Sequence, residues 1–357
     1  MAAFHRLIKV KILTKCKPDQ DGVGWMGYFP EGEKLRWAGC EFTFDRYCRD
    51  YDWLVVYDDL PSVSGERATL WEEPLACAVN NTLLIVSEPS SVKTYGRAFT
   101  RQFHWVLSTQ ESWALAHPRV IRRQPGLTWF YTTDYSRGLI DRLRGTAPIN
   151  KTSFFSTVCS AKRHGHTLHR KRYDFVQGLK RVLPDLEVFG RGVRPIMDKR
   201  EALDPFRYHL AIENHVSPHH WTEKLADAFL GACLPIYYGC AEIAQYFPEE
   251  SFIALPALSD PLALADIALA AERDRLWEKR LPFILEARRR VLDQYGPIAQ
   301  MAELIMARHQ LQSHPATVVN SSAHIASRHS LRRRSCWSGM AFGLEKTLVQ
   351  LRVRLAS

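Results

Sequence analysis

The sequence predicts an α/β protein with two domains in tandem, each built on a parallel sheet covered by helices. Short apolar runs of strand length alternate with helical stretches of about 10 to 15 residues, a pattern typical of βαβ units. The chain has 357 residues, enough for two domains of about 150 residues each. It is 46% hydrophobic and 24% charged, which suffices for a buried core and excludes a wholly disordered or collagen-like chain.

Four segments of the first half have the length and the β-branched or aromatic content of strands. They are residues 7–14, 53–58, 82–88 and 103–109. Several are apolar almost throughout, as strands covered on both faces by helices are. A looser section rich in Gly and Pro follows, from about 125 to 150. We therefore place a first domain at residues 1–150.

The second half repeats the alternation of strands and helices. Strands are predicted at residues 153–159, 186–190, 208–214 and 234–239, and helices at about 167–182 and 222–232. A long helical pattern then runs from about 260 to 312, with a break near Gly296 and Pro297. These elements predict a second domain at residues 151–312.

Residues 313–357 form a basic tail. It carries seven Lys or Arg against one Glu, a net charge of +6, which leaves +4 of the total +10 for the rest of the chain. Near its end, Trp337 and several leucines interleave with basic residues, the composition of a helix that lies on an anionic membrane surface. A partly disordered charged tail is the equal alternative. Because the excess charge is confined to the tail, a nucleic-acid-binding protein ranks last among the functional interpretations.

The sequence also bears on the cellular compartment. The eight cysteines show no pair at the two-residue spacing of zinc and redox sites, so we expect reduced thiols. No apolar run reaches the roughly 20 residues of a membrane span, and the N-terminus lacks the pattern of a secretion signal. We therefore expect a cytoplasmic protein, with peripheral attachment to the inner face of the cell membrane if the tail binds lipid.

Ligands of open parallel sheets collect at the carboxyl ends of the strands, so residues just after a strand are the first candidates. Glu88 follows the apolar run LLIVS and precedes Pro89, which ends the strand. A carboxylate at this place can take a proton from a ligand. A role in the turn or in helix capping is the alternative.

A second strand end carries Glu213 and Asn214, and Thr222 opens the helix that follows. The free N–H groups at a helix start and the positive end of its dipole make an anion pocket. Lys224 in the first turn is unfavourable for the dipole unless an anion lies between them. This placement predicts a phosphate site; a solvated surface lysine is the alternative.

A histidine-rich loop and a pair of aspartates are the two candidates for a metal site. His215, His219 and His220 lie in one Pro-containing loop without regular helical spacing or a nearby carboxylate ligand. Asp58 and Asp59 lack the spaced Asp-x-Asp arrangement of metal sites for nucleotide-sugars. We therefore predict neither a metal site nor a cofactor.

The third candidate is the basic run from Lys162 to Arg172, after the strand that ends at Cys159. It fits a nucleic-acid contact, a solvated helix face or an arginine clamp for a diphosphate, and its place after a strand favours the clamp. The sequence contains no P-loop, G-x-G-x-x-G, H-E-x-x-H or G-x-S-x-G motif. The sequence motifs that usually identify kinases, zinc proteases and esterases are therefore absent from this sequence.

The segment 208–255 resembles the hallmark segment of glycosyltransferase family 10, the α-1,3/4-fucosyltransferases. The family's glutamate-asparagine strand end, threonine-glutamate-lysine helix start, proline-led strand with its glycine, and serine-phenylalanine-isoleucine strand all occur in order. The matching residues are Glu213, Asn214, Thr222, Glu223, Lys224, Pro235, Gly239, Ser251, Phe252 and Ile253. Upstream, the RYDFVQGL segment and VFGRG at 188–192 resemble the family's diphosphate-binding segment and its tyrosine-glycine-arginine stretch. The resemblance is close over about 150–256, looser over 81–135, and does not include the tail.

This resemblance implies a GT-B architecture, in which two Rossmann-like domains face each other across a cleft. The C-terminal domain would hold GDP-fucose, and the N-terminal domain would present the acceptor sugar. The resemblance also implies an inverting reaction that needs no metal. Glu88 stands where the family has its proposed base in a glycine-glutamate-asparagine motif, although Ser87 and Pro89 replace the flanking residues here.

The resemblance assigns the donor-binding residues one by one. Arg172, Lys224 and the N–H groups near Thr222 would bind the diphosphate, and Glu223 would hold the ribose hydroxyls. His220 would contact the nucleotide, and Glu213 with Asn214 would shape the pocket.

Together these features predict fucosyl transfer from GDP-fucose to a hydroxyl of a glycan or of a lipid-linked oligosaccharide. A transferase of the same fold with another nucleotide-sugar is one alternative. A catalytically idle sugar-nucleotide-binding or glycan-binding protein is another.

Overall fold

The computed structural model describes residues 6–15, 23–32, 34–62, 68–161, 168–310 and 323–356. The chain divides into two compact units. Unit 1 comprises Met1–Gly126, Tyr135–Leu139 and Pro297–Ser357, and unit 2 comprises Leu127–Asp134 and Ile140–Gly296. Each unit has its own parallel sheet. The predicted α/β class with two such sheets is therefore confirmed.

The first sheet belongs to unit 1. The elements of this part of the chain are β1 (Ile8–Thr14), β2 (Arg36–Trp37), β3 (Cys40–Thr43), β4 (Trp53–Tyr57), β5 (Glu72–Pro74), β6 (Thr82–Ile85), α1 (Arg97–Thr100), β7 (Trp105–Ser108), β8 (Val120–Arg122) and α2 (Leu139–Gly145). Seven strands pair in the order β2-β3-β1-β4-β6-β7-β8, and all neighbours except β2 and β3 are parallel. Every residue of β4 and β6 is buried, which explains their unbroken apolar sequences.

The second sheet belongs to unit 2. Its elements are β9 (Ser153–Val158), α3 (His169–Val182), β10 (Leu186–Phe189), α4 (Arg200–Leu203), β11 (Phe206–Ile212), α5 (Glu223–Leu230), β12 (Leu234–Tyr238), β13 (Ile253–Ala254), α6 (Pro261–Arg273) and α7 (Leu276–Asp293). Five strands pair in parallel in the order β10-β9-β11-β12-β13. Phe175, Val176 and Leu179 of α3 and Leu264 and Ala268 of α6 pack into one core with these strands. The predicted strands and helices of this half are confirmed to within a few residues.

The chain ends with four elements of unit 1: α8 (Pro297–Gln310), β14 (His324–Ala326), α9 (Arg328–Arg333) and α10 (Cys336–Ala356). Strand β14 pairs antiparallel with β5, and Ile325 is buried in the core of unit 1. Residues 323–356 are thus strand and helix, and the disordered alternative for the tail does not hold for them. Sequence composition missed this because β14 is only three residues long and begins with a histidine.

The predicted division at residues 150 and 312 differs from the division into units. Helix α8 belongs to unit 1, where its first turn closes on Gly126; a Cβ at that glycine, whose φ is +66°, would lie 2.9 Å from Pro297 Cα. Arg123 also pairs with Glu303 of α8 at 2.9 Å. Helical periodicity identifies α8 as a helix but carries no information on which sheet it covers. The long helical pattern also contains a second break, at Asp274 and Arg275, with Arg275 in the left-handed region.

Within the described residues, no helix is long and apolar enough to cross a membrane. The seven cysteines of this part of the chain are all free thiols. Cys16 and residues 162–167 of the predicted basic run lie outside the described residues.

Candidate functional site

Unit 2 contains a cavity of about 260 Å³ at the carboxyl ends of β9 and β11, beside the first turns of α3 and α5. Four of the predicted donor-binding residues line it together: Arg172, Asn214, Glu223 and Lys224. They come from one helix, one strand end and a second helix start. These residues were selected from sequence because they follow strands, and they lie together at the carboxyl edge of the second sheet.

Glu213 holds the start of α5 in place. This carboxylate is fully buried and accepts hydrogen bonds from Thr222 N at 2.8 Å and from Thr222 Oγ1 at 2.7 Å. Thr222 Oγ1 in turn accepts from Lys224 N at 3.4 Å, as a helix cap does. Burial raises the pKa of Glu213, with Lys224 opposing the effect. A Cβ at Gly239 would lie 2.6 Å from Glu213 Cγ, which is the physical reason for glycine at this point of the motif.

Lys224 is enclosed by acceptors on one side and lines the cavity on the other. Its Nζ lies 2.8 Å from Glu223 Oε1, 3.0 Å from Thr222 Oγ1 and 3.5 Å from Glu213 Oε2. Burial lowers the pKa of Lys224, but Glu223 and Glu213 more than offset this, and the pKa lies above its usual value. Burial likewise raises the pKa of Glu223, but Lys224 and Lys199 lower it by more, to about 2. Both side chains are therefore charged at neutral pH.

Arg172 supplies a second cation. Its side chain is buried on α3, and Nη1 lies at 3.5 Å from Ile212 O. Its Nε is buried and has no hydrogen-bond partner among the described residues; the same is true of Asn214 Oδ1. A buried guanidinium N–H without a partner costs free energy, so such an atom at a cavity wall indicates a place for an acceptor. An anion satisfies both the donor and the charge.

Three further residues of the cavity wall were missed by sequence reasoning: Lys199, His209 and Asp227. Lys199 Nζ pairs with Asp227 Oδ2 at 2.5 Å, and Asp227 also accepts from Phe130 N at 2.9 Å. Burial raises the pKa of Asp227 to about 6 in spite of Lys199. Burial, together with Lys199 and Lys151, lowers the pKa of His209 to about 3, so the imidazole is neutral. Asp227 interrupts the otherwise apolar run from Leu225 to Leu230 of α5, which is the signal that sequence reasoning could have used.

The histidine loop folds against aromatic side chains. His219, with φ +62°, places Nδ1 2.9 Å from Tyr246 OH, and the buried His220 ring meets the His215 ring edge-on at 5.3 Å between centroids. Among the described residues, no group of three His, Cys, Asp or Glu side chains is arranged to hold a metal ion. Neither His220 nor Thr222 is among the residues that line the cavity.

Glu88 lies in unit 1, three residues beyond the end of β6, with an exposed side chain. Its N–H donates to Tyr95 OH at 3.3 Å, and its carbonyl accepts from Gln110 Nε2 at 2.8 Å. Asp58, the first residue after β4, accepts from Lys93 Nζ at 2.6 Å and from Ser87 Oγ at 3.2 Å. Asp58 is thus engaged by the loop that carries Glu88.

Residues 150–277 match the family model described as glycosyltransferase family 10 (fucosyltransferase) C-term. An α-(1,3)-fucosyltransferase FucT of Helicobacter pylori is 33% identical over 58 residues, which are 16% of this chain and 12% of that protein. A 3-galactosyl-N-acetylglucosaminide 4-α-L-fucosyltransferase FUT3 of Bos taurus is 31% identical over 106 residues, 28% of this chain and 29% of that one. The matches thus span less than a third of these relatives. A solved α1,3-fucosyltransferase with GDP-fucose gives a TM-score of 0.46 at 14% identity, covering 83% of this chain and 94% of that chain.

Proposed function

We propose that this protein transfers fucose from GDP-fucose to a hydroxyl of a glycan acceptor, because residues 150–277 match the family model of glycosyltransferase family 10 (fucosyltransferase). The observation that carries the proposal is Arg172. Its guanidinium is buried at the wall of the cavity, inside the matched region, and its Nε has no partner among the described residues. A diphosphate offers the acceptors and the negative charge that this group lacks.

We assign the diphosphate of the donor to Arg172, Lys224 and the positive end of the α5 dipole; Thr222 N and Lys224 N themselves donate to Glu213 and to Thr222 Oγ1. Negative charge grows on the diphosphate as the bond to fucose breaks, and fixed cations and N–H dipoles stabilise it in a site that excludes water. Glu223, ionised beside Lys224, accepts hydrogen bonds from the ribose hydroxyls. Glu213 supports the site from behind by fixing Thr222 and Lys224. Asn214 lines the cavity. His220 is buried against His215 and does not line the cavity, so we assign it to the packing of the loop before α5 rather than to the nucleotide contact expected from sequence.

The reaction we propose is an in-line displacement with inversion at the anomeric carbon. The acceptor hydroxyl attacks as Glu88 removes its proton, and GDP departs with the electrons of the broken bond. The protein's own cations neutralise the leaving group, so no metal takes part in this step. General-base assistance is worth roughly a hundredfold to ten-thousandfold in rate.

A donor screen tests the nucleotide. GDP and GDP-fucose are expected to raise the unfolding temperature of the protein, and UDP and UDP-glucose are not. Equal or greater stabilisation by the uridine compounds would instead indicate a transferase with another nucleotide-sugar. The Arg172→Ala variant serves as the control, since it should lose the shift with GDP.

An acceptor screen tests the base. A galactosyl-N-acetylglucosamine disaccharide is the first acceptor to try, because the bovine relative is named for it; lipid-linked oligosaccharides follow. Glu88→Gln should bind GDP as the wild type does and lose about two to four orders of magnitude in turnover. Wild-type turnover in this variant would place the base elsewhere.

A second candidate function rests on the departures beside Glu88. Ser87 and Pro89 stand where the family motif has glycine and asparagine, and a chain that has lost the base would bind the donor without using it. Tight GDP-fucose binding with neither transfer to any acceptor nor slow hydrolysis would select this idle binding protein.

We further propose that α10 contacts an anionic membrane. Its large apolar side chains are more than half exposed at Trp337, Met340, Leu344, Leu348, Leu351 and Leu355. Arg352 and Arg354 accompany them, a combination that suits an anionic lipid surface. A variant with Leu344, Leu351 and Leu355 changed to Gln should no longer sediment with phosphatidylglycerol vesicles. Equal sedimentation of variant and wild type would remove this proposal.

A further inference from the structure

The loop that carries Glu88, residues 86–95, is organised around the buried hydroxyl of Tyr95. Tyr95 is 2% exposed, and its OH accepts the Glu88 N–H at 3.3 Å while it donates to Asp58. Asp58 also receives Ser87 Oγ and Lys93 Nζ from the same loop. Gln110 Nε2 donates to the carbonyls of both Glu88 and Lys93, each at 2.8 Å. The backbone at Glu88 is therefore placed by Tyr95 and Gln110.

Arg328 holds Tyr95 from the other side, and it comes from the C-terminal segment. Its Nε donates to Tyr95 O at 3.2 Å and its Nη2 to Thr94 O, and the guanidinium lies 5.3 Å from the centre of the Tyr95 ring. Nη1 lies 3.7 Å from Asp59 Oδ2, and the side chain is only 13% exposed. Two contacts, Arg328 to Tyr95 and Tyr95 to Glu88, thus join the segment after residue 322 to the candidate base.

The segment itself is firmly placed on unit 1. Ala326 N and O pair with the Gln102 side chain, each at 2.9 Å, and Ser327 Oγ donates to Thr69 O at 2.6 Å. Further along, the Glu345 carboxylate of α10 accepts from Arg97 N at 3.1 Å, directly after the Glu88 loop. Arg328 is therefore fixed on both sides rather than reaching in from a mobile tail.

Arg334, six residues further along the same segment, is a solvent-exposed arginine with which Arg328 can be compared. It is half exposed and lies 3.6 Å from Glu72, which is also half exposed. An exposed pair of this kind contributes little to stability. Arg328 differs in burial and in its partners, since two of its donors go to backbone carbonyls of the Glu88 loop. The Arg328 guanidinium therefore holds the backbone of that loop in place.

We propose that Arg328 is a positioning residue for Glu88, acting through Tyr95, so that the C-terminal segment completes the catalytic loop. The inference rests on the proposed role of Glu88 as the base. A general base must stand within hydrogen-bond reach of the proton it takes, and a displacement of about 1 Å can cost on the order of a hundredfold in rate. Without Arg328, the carbonyls of residues 94 and 95 lose their hydrogen bonds. The Tyr95 hydroxyl is then less firmly placed, and with it the backbone N–H of Glu88.

Steady-state kinetics on the full chain test this, with GDP-fucose and galactosyl-N-acetylglucosamine as substrates. Arg328→Ala should lower kcat roughly tenfold to a hundredfold, with the KM for GDP-fucose and the Kd for GDP unchanged. Arg328→Lys should restore part of the loss, and Tyr95→Phe, which removes only the hydroxyl, should reproduce it. Arg334→Ala is the matched control and should stay within about twofold of the wild type.

A double-mutant cycle separates positioning from general destabilisation. If Arg328 acts through Glu88, Arg328→Ala should cost almost nothing further in a Glu88→Gln background. Full additivity of the two losses would overturn the inference, as would wild-type kcat in Arg328→Ala.

Hydrogen exchange keeps the inference testable apart from the proposed function. Amides of residues 86–95 should exchange faster in Arg328→Ala and Tyr95→Phe than in Arg334→Ala, while residues 208–230 of unit 2 are unchanged. Unchanged exchange in the Glu88 loop overturns the inference even if Glu88 proves to be the base. Faster exchange there, together with full activity of Glu88→Gln, leaves the loop contact standing and overturns the base, and with it the catalytic part of the inference.

Discussion

Lys11 of unit 1 and Lys224 of unit 2 each pair with glutamate, and the two lysines are used differently. Lys11 of β1 is fully buried, and its Nζ donates to Glu73 Oε1 at 2.7 Å, Arg46 O at 2.7 Å and Cys48 O at 3.0 Å. All three of its donors are thus used within unit 1. Lys224 of unit 2 is paired with Glu223 and Glu213 but stays 19% exposed and lines a cavity.

This difference shows that a buried lysine–glutamate pair does not by itself indicate a functional site. The Lys11 pair joins β1 to β5, and β5 in turn pairs with β14 near the end of the chain. The Lys224 cluster instead leaves one side of the ammonium facing a cavity that also contains a buried guanidinium donor with no partner among the described residues. The first arrangement stabilises the fold, and the second can also bind an anion.

Lys11→Met should have the largest effect, which is on the stability of the fold. Removing this cation leaves Glu73 buried, and its remaining charged partner among the described residues is Arg49, at 3.8 Å. We therefore expect a loss of about 3 to 5 kcal/mol in the free energy of unfolding. Urea denaturation measures it. Lys9→Met on the same strand is the control, because Lys9 is 38% exposed and pairs with the exposed Asp50; about 1 kcal/mol or less is expected. Similar losses in both variants would contradict the structural role of Lys11.

Arg172→Ala should have the next largest effect, on ligand binding rather than on stability. The variant removes a charged donor that is buried at the cavity, and we expect the Kd for GDP to rise by roughly thirtyfold to a hundredfold, or about 2 to 3 kcal/mol. Titration calorimetry measures the change. Arg170→Ala, two residues away on the exposed face of α3 with Asp174 at 3.7 Å, should bind GDP as the wild type does. Unchanged affinity in Arg172→Ala would remove the diphosphate assignment.

Lys224→Met should weaken GDP binding less, by about tenfold. Glu223 and Glu213 already neutralise much of this charge, so less of it is available to the ligand than from Arg172. The same titration serves, with Lys11→Met as the comparison, since its folded fraction should bind GDP normally. Weaker binding in Lys11→Met than in Lys224→Met would reverse the roles assigned to the two lysines.

A further expected effect concerns the dependence of stability on pH. The pKa of Glu223 is lowered to about 2 in the folded protein, below the value of about 4.3 expected in the unfolded chain. The unfolded state therefore binds more protons between these values, so the stabilisation is present above about pH 4.3 and is lost as the pH falls toward 2. The stability advantage of the wild type over Glu223→Gln should shrink between pH 5 and pH 3 in urea denaturation. A constant difference would show that Glu223 is not held ionised by Lys224.

Much of the candidate site could be predicted from sequence because its residues lie at strand ends and helix starts, which have recognisable local sequence patterns. Glu213, Thr222 and Lys224 fall within a dozen residues, and their contacts follow from one strand, one loop and one helix. Lys199 and Asp227 are 28 residues apart and pair only because α5 and the segment before α4 lie side by side. No local pattern specifies that neighbourhood.

The sequence by itself determined that the chain contains two parallel sheets, four strands of each sheet and the residues that stand at the carboxyl ends of those strands. It did not identify β2, β3 and β8 of the first sheet. Apolar runs, β-branched content and helical period are local properties, and they set these features directly. Only the tertiary structure decided that α8 and the C-terminal segment belong to unit 1 and that Arg328 lies against the loop of Glu88. The contacts Arg123–Glu303 and Arg328–Tyr95 join residues 180 and 233 positions apart. They depend on how side chains pack in three dimensions rather than on any repeat in the chain.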